Sequence, residues 1–156
     1  MEEQNYKAFL TDERLHDLLS RHGLVLNFYL HPKFRDYMHD FSVDVPQIRM
    51  ISFGEIPLNR LLMSCRMLIT DYSSCAGDFA LTGRPIILYQ ADIAQYLEKD
   101  RTMYFDMKDS PYFVAKSQQE LEGWICRLTP EMARQNCKEI LAFYKDCETG
   151  HAGESV

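Results

Sequence analysis

Three short runs of nearly continuous apolar residues constrain the fold of this chain more than any other feature of its sequence. They occupy residues 24–30, 67–70 and 85–89. An apolar run of strand length without polar alternation is typical of a strand that is covered on both faces, and such strands occur mainly in parallel sheets flanked by helices. The sequence therefore predicts an α/β protein.

Helical patterns alternate with these runs. Thr11 followed by two acidic residues predicts a helix N-terminus, with Leu15, Leu18 and Leu19 on one apolar face and Gly23 at the end of the helix. Another strand is predicted at 48–53, and further helices at 33–39, 57–64 and 75–82. Strands that alternate with helices predict a Rossmann-like parallel sheet, wound right-handedly, with helices on both faces.

The C-terminal third is predicted to be helical. Ser117 and Glu120 form a capping box, and Thr129 precedes a second helix. The residues of this second helix that we expect to face the core are Met132, Ile140, Leu141 and Tyr144. We expect one nucleotide-binding domain over residues 1–147 and a disordered tail over 148–156, because the tail contributes nothing to a core.

Charge and cysteine content exclude several classes of protein. The net charge is −6 and no stretch concentrates lysine and arginine, so a nucleic-acid partner is not expected. The five cysteines include no CxxC pair, which favours reduced thiols over a zinc site. The N-terminus lacks a signal-peptide pattern, and nowhere do about eighteen apolar residues run together. We therefore expect a cytoplasmic domain without a transmembrane segment, whose membrane attachment, if any, comes from elsewhere in a longer protein.

The chemistry is expected beyond the carboxyl ends of the strands, where open α/β sheets bind ligands. Two polar segments follow predicted strands there. A strand-turn-helix passage presents backbone N–H groups and serine hydroxyls to a phosphate, and a histidine can add an imidazole donor. The segments predict a diphosphate clamp composed of His31, Pro32 and Lys33 on one side and Thr70, Asp71, Ser73 and Ser74 on the other.

Each of these residues also has a purely structural interpretation. The serine pair can serve only as a helix cap, and His31 before a proline can merely shape a turn. Asp71 would repel a phosphate, so it is expected to cap the following helix or to accept hydrogen bonds from ligand hydroxyls. No cluster of carboxylates predicts a protein-held metal, and whether Mg²⁺ travels with a donor is left open.

The sequence resembles the family of CDP-glycerol:polyglycerophosphate glycerophosphotransferases between residues 24 and about 128. The specific part is the string Ile69-Thr70-Asp71-Tyr72-Ser73-Ser74, trailed by Asp78, by Arg84-Pro85-Ile86-Ile87, and by Asp92, Tyr96 and Asp106, with His31-Pro32 upstream. Around Asp106 the sequence departs from the family, because Ser110-Pro111-Tyr112-Phe113 replaces an expected Pro-Gly turn.

The resemblance implies the C-terminal, nucleotide-binding half of a GT-B-type enzyme that polymerises glycerol phosphate into teichoic-acid-like or capsular chains. It leaves open a peripheral location of the full-length protein at the inner face of the bacterial membrane. It assigns His31 as a diphosphate contact that stabilises the leaving group, and Ser73 and Ser74 as phosphate donors. For Asp78 and Asp106, ligand contact competes with simple surface exposure. For Arg84, a phosphate contact competes with solvation of the sheet edge.

The resemblance also implies an incomplete enzyme. The family's proposed general base is a histidine in a separate N-terminal domain, through which the polymer acceptor would also bind. Two other classes of protein stay open: a GT-B glycosyltransferase that uses nucleotide sugars, and a non-catalytic interaction domain.

Overall fold

The computed structural model describes residues 3–29, 41, 43–93 and 109–145. Its helices are α1 (Glu3–Thr11), α2 (Glu13–Arg21), α3 (Leu58–Ser64), α4 (Cys75–Ala80), α5 (Gln118–Arg127) and α6 (Pro130–Phe143). Its strands are β1 (Leu26–Tyr29), β2 (Ile48–Ile51), β3 (Leu68–Thr70), β4 (Ile86–Tyr89) and β5 (Phe113–Ala115). The four predicted strands are confirmed with shorter bounds, whereas β5 was not foreseen.

Every strand pair within the described residues is parallel, as predicted. The strands form two hydrogen-bonded groups, β1-β2 and β3-β4-β5, instead of one sheet. In the second group Thr70 pairs with Leu88, and Tyr89 with Ala115. Side chains join the two groups, because Phe28 of β1 and Ile87 of β4 belong to the same core cluster.

Helices cover β4 on both faces, which confirms the predicted layering. All four residues of β4 are buried, and because successive side chains of a strand point to opposite faces, they alternate between two core clusters. Ile87 and Tyr89 pack with residues of α1, α2 and α5. Ile86 and Leu88 pack with residues of α4 and α6.

The N-terminal helix α1 was not foreseen, and it corrects the predicted start of the next helix. Thr11 is the last residue of α1, where its hydroxyl donates to the carbonyl of Lys7 at 2.8 Å. The cap of α2 is Asp12, whose Oδ1 accepts from the backbone N–H of Arg14 at 2.8 Å. Gly23, with a φ of +58°, ends this helix as predicted.

The predicted caps of α5 and α6 are confirmed. Oγ of Ser117 accepts from the N–H of Glu120 at 3.2 Å, and Oγ1 of Thr129 accepts from the N–H of Met132 at 3.2 Å. The predicted core face of α6 was partly wrong, because Met132 is 39% exposed and Tyr144 is 47% exposed. The buried face has helical spacing but starts at a different residue than predicted. It consists of Ala133, Asn136, Cys137 and Ile140.

Two predicted segments, the helix at 33–39 and the tail at 148–156, lie outside the described residues. The helix predicted at 75–82 ends at Ala80, and a turn follows in which the hydroxyl of Thr82 donates to the carbonyl of Phe79 at 2.7 Å. In the described part of the chain, every helix is too short or too polar to cross a bilayer.

Candidate functional site

The polar segment 70–74 lies where β3 ends. Thr70 is the last residue of β3, and Asp71 and Tyr72 follow it as half-buried side chains. Ser73 and Ser74 are exposed and lead directly into α4. The structure therefore places Thr70, Asp71, Ser73 and Ser74 together at the carboxyl edge of β3, as the sequence predicted.

The two serines offer donors that the fold uses only in part. Ser74 is the N-cap residue of α4, yet its side chain makes no capping hydrogen bond. Oγ of Ser73 accepts from the N–H of Cys75 at 3.4 Å, which is long for a hydrogen bond. Within the described residues, the N–H groups of Ser73 and Ser74 donate to no other backbone group. Capping therefore does not account for both serines, and their donors can serve a phosphate.

Helix α4 adds little to this anion site by its dipole. It is only 6 residues long, so few peptide dipoles are aligned behind the serines. Asp78 lies exposed in its first turn, where a carboxylate is favourable to the helix and needs no ligand. The individual N–H and hydroxyl groups of the loop, and not the helix dipole, are thus the main groups that can bind a phosphate.

Asp71 is held by a residue that the sequence did not single out. Its Oδ2 accepts a 2.9 Å hydrogen bond from the hydroxyl of Tyr6 on α1. Burial, together with the charges of Asp71 and Asp92, raises the pKa of Tyr6 far above its usual value, so the hydroxyl stays a donor. The expectation that Asp71 caps the next helix is not met, because Ser74 occupies the cap position and the Asp71 carboxylate contacts α1. The alternative expectation, that Asp71 accepts hydrogen bonds from ligand hydroxyls, stays a prediction.

Tyr72 fixes the same loop from another side. Its hydroxyl donates to Oδ1 of Asp92 at 2.9 Å, in the turn that follows β4. Asp92 is buried, and its hydrogen bond with Tyr72 gives a structural reason for an aspartate at this position of the motif. Consecutive residues, Asp71 and Tyr72, are thus tied to two different elements.

Gln90 lies one residue beyond β4 at the same edge. Its backbone N–H donates to the carbonyl of Ala115 at 2.8 Å, so it continues the ladder. The side chain is 1% exposed, and its Nε2 has no hydrogen-bond partner among the described residues. No sequence pattern pointed to this residue.

Arg84 binds the end of a neighbouring helix. Its guanidinium donates to the carbonyls of Met63 at 3.0 Å, Leu62 at 3.1 Å and Cys65, at the C-terminal end of α3. It also lies 4.7 Å from the ring centre of Phe79. These carbonyls replace the solvation of the sheet edge that the sequence offered as one alternative, and the phosphate contact stays a prediction, since a guanidinium suits both phosphates and helix C-terminal carbonyls.

The other half of the predicted clamp cannot be placed. His31, Pro32, Lys33 and Asp106 lie outside the described residues, and their roles stay predictions. In the described ranges, no three His, Cys, Asp or Glu side chains gather as a metal site would require. The expectation about a protein-held metal also stays a prediction.

Parallel strands between two helix layers, with a polar donor loop at the carboxyl edge, define an α/β domain of the Rossmann-like class. The solved structures agree with that class. The structure of the wall teichoic acid polymerase TagF matches with a TM-score of 0.71 at 21% identity, over 94% of this chain and 36% of that chain. A TagF variant soaked with CDPG matches with a TM-score of 0.67 at 22% identity, over 90% of this chain and 35% of that chain.

The chain belongs to the CDP-Glycerol:Poly(glycerophosphate) glycerophosphotransferase family, whose model matches residues 2–154. It is 36% identical over 107 residues to the teichoic acid poly(glycerol phosphate) polymerase of Bacillus subtilis, covering 66% of this chain and 12% of that protein. It is 30% identical over 105 residues to the minor teichoic acid biosynthesis protein GgaB of the same organism, covering 66% of this chain and 11% of that protein. The chain therefore spans about a tenth of the length of these relatives.

Proposed function

We propose that this chain is the donor-binding part of an enzyme that transfers glycerol phosphate from CDP-glycerol to a polymer hydroxyl, in teichoic acid or capsular polysaccharide synthesis. Family membership over residues 2–154 carries the proposal. The exposed donors of Ser73 and Ser74 support it, because they lie at the strand edge where a nucleoside diphosphate would bind.

The proposed reaction is a phosphoryl transfer. A hydroxyl oxygen of the growing polymer attacks the phosphorus that carries glycerol, the bond from this phosphorus to CMP breaks, and CMP leaves with the electron pair. The acceptor's proton goes to a base in another domain of the complete enzyme. The serine loop and His31 would hold the diphosphate and neutralise charge on the departing CMP, since positioning and charge stabilisation dominate such reactions. Any Mg²⁺ would arrive with the donor.

Calorimetric titration of this chain with CDP-glycerol, CMP and UDP-glucose tests the proposal. We expect CDP-glycerol to bind, and Ser74→Ala to weaken it about three- to tenfold through the loss of one hydrogen bond. His31→Ala is expected to weaken it further, because a donor to a charged group is lost. Ser20→Ala, an exposed serine on α2, is the matched control and should leave the affinity unchanged.

The same titrations separate the competing classes of protein. Tighter binding of UDP-glucose than of CDP-glycerol would favour a nucleotide-sugar glycosyltransferase. If no nucleotide bound, a non-catalytic interaction domain would be the better description. Equal affinities of the wild type and both site variants would remove the clamp assignment.

A further inference from the structure

The ring of Tyr6 lies between the two strand ends from which the clamp segments start. Its centroid is 5.7 Å from that of Phe28 on β1, at an interplanar angle of 74°. Its hydroxyl reaches Asp71, directly after β3. Phe28 precedes His31 by three positions, and Asp71 precedes Ser73 by two. One side chain of α1 therefore contacts the strand that leads to His31 and the loop that carries the serines.

The aromatic packing fixes the position from which the Tyr6 hydroxyl donates. Phe41 contacts the same ring, with centroids 6.2 Å apart at 83°, and Phe28 and Phe41 lie 6.1 Å from each other. Edge-to-face contacts of this kind restrict the ring to one orientation. Because the pKa of Tyr6 is raised, the hydroxyl remains protonated at all ordinary pH values. Asp71 is therefore offered a permanent donor from a fixed direction.

The loop is consequently held at two consecutive residues. Tyr6 holds Asp71 from α1, and Asp92 holds Tyr72 from the turn after β4. A loop fixed at both points presents the following N–H groups in one arrangement before the ligand arrives. Such preorganisation improves binding, because little ordering is left for the moment of binding.

We propose that Tyr6 is a positioning residue, which holds Asp71 so that the donors of Ser73 and Ser74 face the donor diphosphate. This inference rests on the proposed function and deepens it, since it assigns a role to a residue outside the motif string. Tyr6 acts through Asp71 and does not touch the ligand itself.

Tyr6→Phe tests the proposal because it removes the hydroxyl and keeps the ring that packs on Phe28 and Phe41. We expect the affinity for CDP-glycerol to fall about tenfold, because the loop must then be ordered at the moment of binding. The affinity for cytidine, which has no phosphate, should stay the same. Tyr112→Phe is the matched control, because it removes a buried hydroxyl from the other core cluster, where it donates to Tyr144 at 3.4 Å.

A double-mutant cycle identifies the path of the effect. If Tyr6 acts through Asp71, Tyr6→Phe will weaken CDP-glycerol binding in the wild type but not in the Asp71→Ala background. An equal loss in both backgrounds would overturn the proposal. So would a parallel loss of cytidine and CDP-glycerol affinity, which would indicate a general structural defect.

Amide hydrogen exchange measured without ligand tests the positioning role of Tyr6 independently of the proposed function. We expect faster exchange in residues 71–76 of Tyr6→Phe, with α6 unchanged as an internal reference. If the wild type bound no CDP-glycerol, the proposed function would fail, and the exchange rates would still decide whether Tyr6 orders the loop. Unchanged exchange at 71–76 would overturn the positioning role.

Discussion

The hydroxyl of Tyr72 donates a 2.9 Å hydrogen bond to the carboxylate of Asp92, which is only 7% exposed. A buried carboxylate is costly unless donors surround it, so this contact supports the turn after β4 as well as the serine loop. The two residues are 20 positions apart and thereby join the ends of β3 and β4.

Tyr72→Phe is expected to lower the free energy of unfolding by about 1–3 kcal/mol, because a buried carboxylate loses a donor. Urea unfolding followed by tryptophan fluorescence measures the change, since the single tryptophan, Trp124, reports on α5. A decrease below about 0.5 kcal/mol would show that this hydrogen bond contributes little net stability.

Arg84→Ala is expected to destabilise the fold by about 2–4 kcal/mol, because several charge-assisted hydrogen bonds to the end of α3 and the contact with Phe79 are lost together. Arg84→Lys should recover only part of this, since an ammonium group cannot span the carbonyls of Leu62, Met63 and Cys65 as a planar guanidinium does. Arg60→Ala, at an exposed position of α3, is the control. If Arg84→Ala and Arg60→Ala had the same free energy of unfolding in urea, the conclusion that Arg84 stabilises the end of α3 would be wrong.

Gln90→Met is expected to leave the free energy of unfolding unchanged or to raise it by up to about 1 kcal/mol, because it removes the buried Nε2 donor, which has no partner among the described residues, while the side-chain length is kept. Gln90→Glu should lower it by about 2 kcal/mol or more, since it places an ionisable group at a site that is 1% exposed. Thermal and urea unfolding measure both variants. A loss of stability in Gln90→Met would mean that the amide is hydrogen-bonded after all.

Glu55 gives the fold a pH-dependent contact in the turn after β2. Its Oε1 accepts from Arg49 at 2.7 Å, and its Oε2 accepts from the N–H of Ser52 at 3.1 Å. These hydrogen bonds, that from Arg49 foremost, hold the pKa of Glu55 below its usual 4.5. Because the folded-state pKa is lowered, the stabilisation is present above the usual value and is lost as the pH falls through the folded one.

Glu55→Gln should therefore be less stable than the wild type at about pH 7, and this difference should shrink at a second, acidic pH, because the carboxylate takes up a proton as the pH falls through its lowered folded-state pKa. Urea unfolding at the two pH values measures the difference. The effect should be small because the carboxylate is solvent-exposed, and added salt should reduce it. A difference that persisted at low pH would point to packing instead of charge.

The local features of this chain are largely readable from its sequence. The apolar runs predicted β1, β3 and β4, because strands covered on both faces need no polar alternation. Ser117 and Thr129 predicted the starts of α5 and α6, because a side-chain oxygen caps N–H groups within a few residues. The position of the serine loop at a strand edge followed from the same reasoning.

Contacts between distant residues could not be read in this way. Tyr6 and Asp71 are 65 positions apart, and nothing near Tyr6 indicates which acceptor it will meet. Helix α1 is stabilised by the packing of Phe9 and Leu10 against the core, so the local sequence pattern did not predict this helix. Met132 and Tyr144 were misplaced because helical spacing fixes the period of a buried face but not its starting residue.

The alternation along β4 has a genetic consequence. Deleting one residue from this strand would exchange the partners of Ile86 and Leu88 with those of Ile87 and Tyr89, so every side chain would meet a cavity shaped for another. Conservative replacements at these positions change volume at one point only. Single substitutions in β4 should therefore be tolerated far more readily, in evolution and in mutagenesis, than the in-frame deletion of one codon.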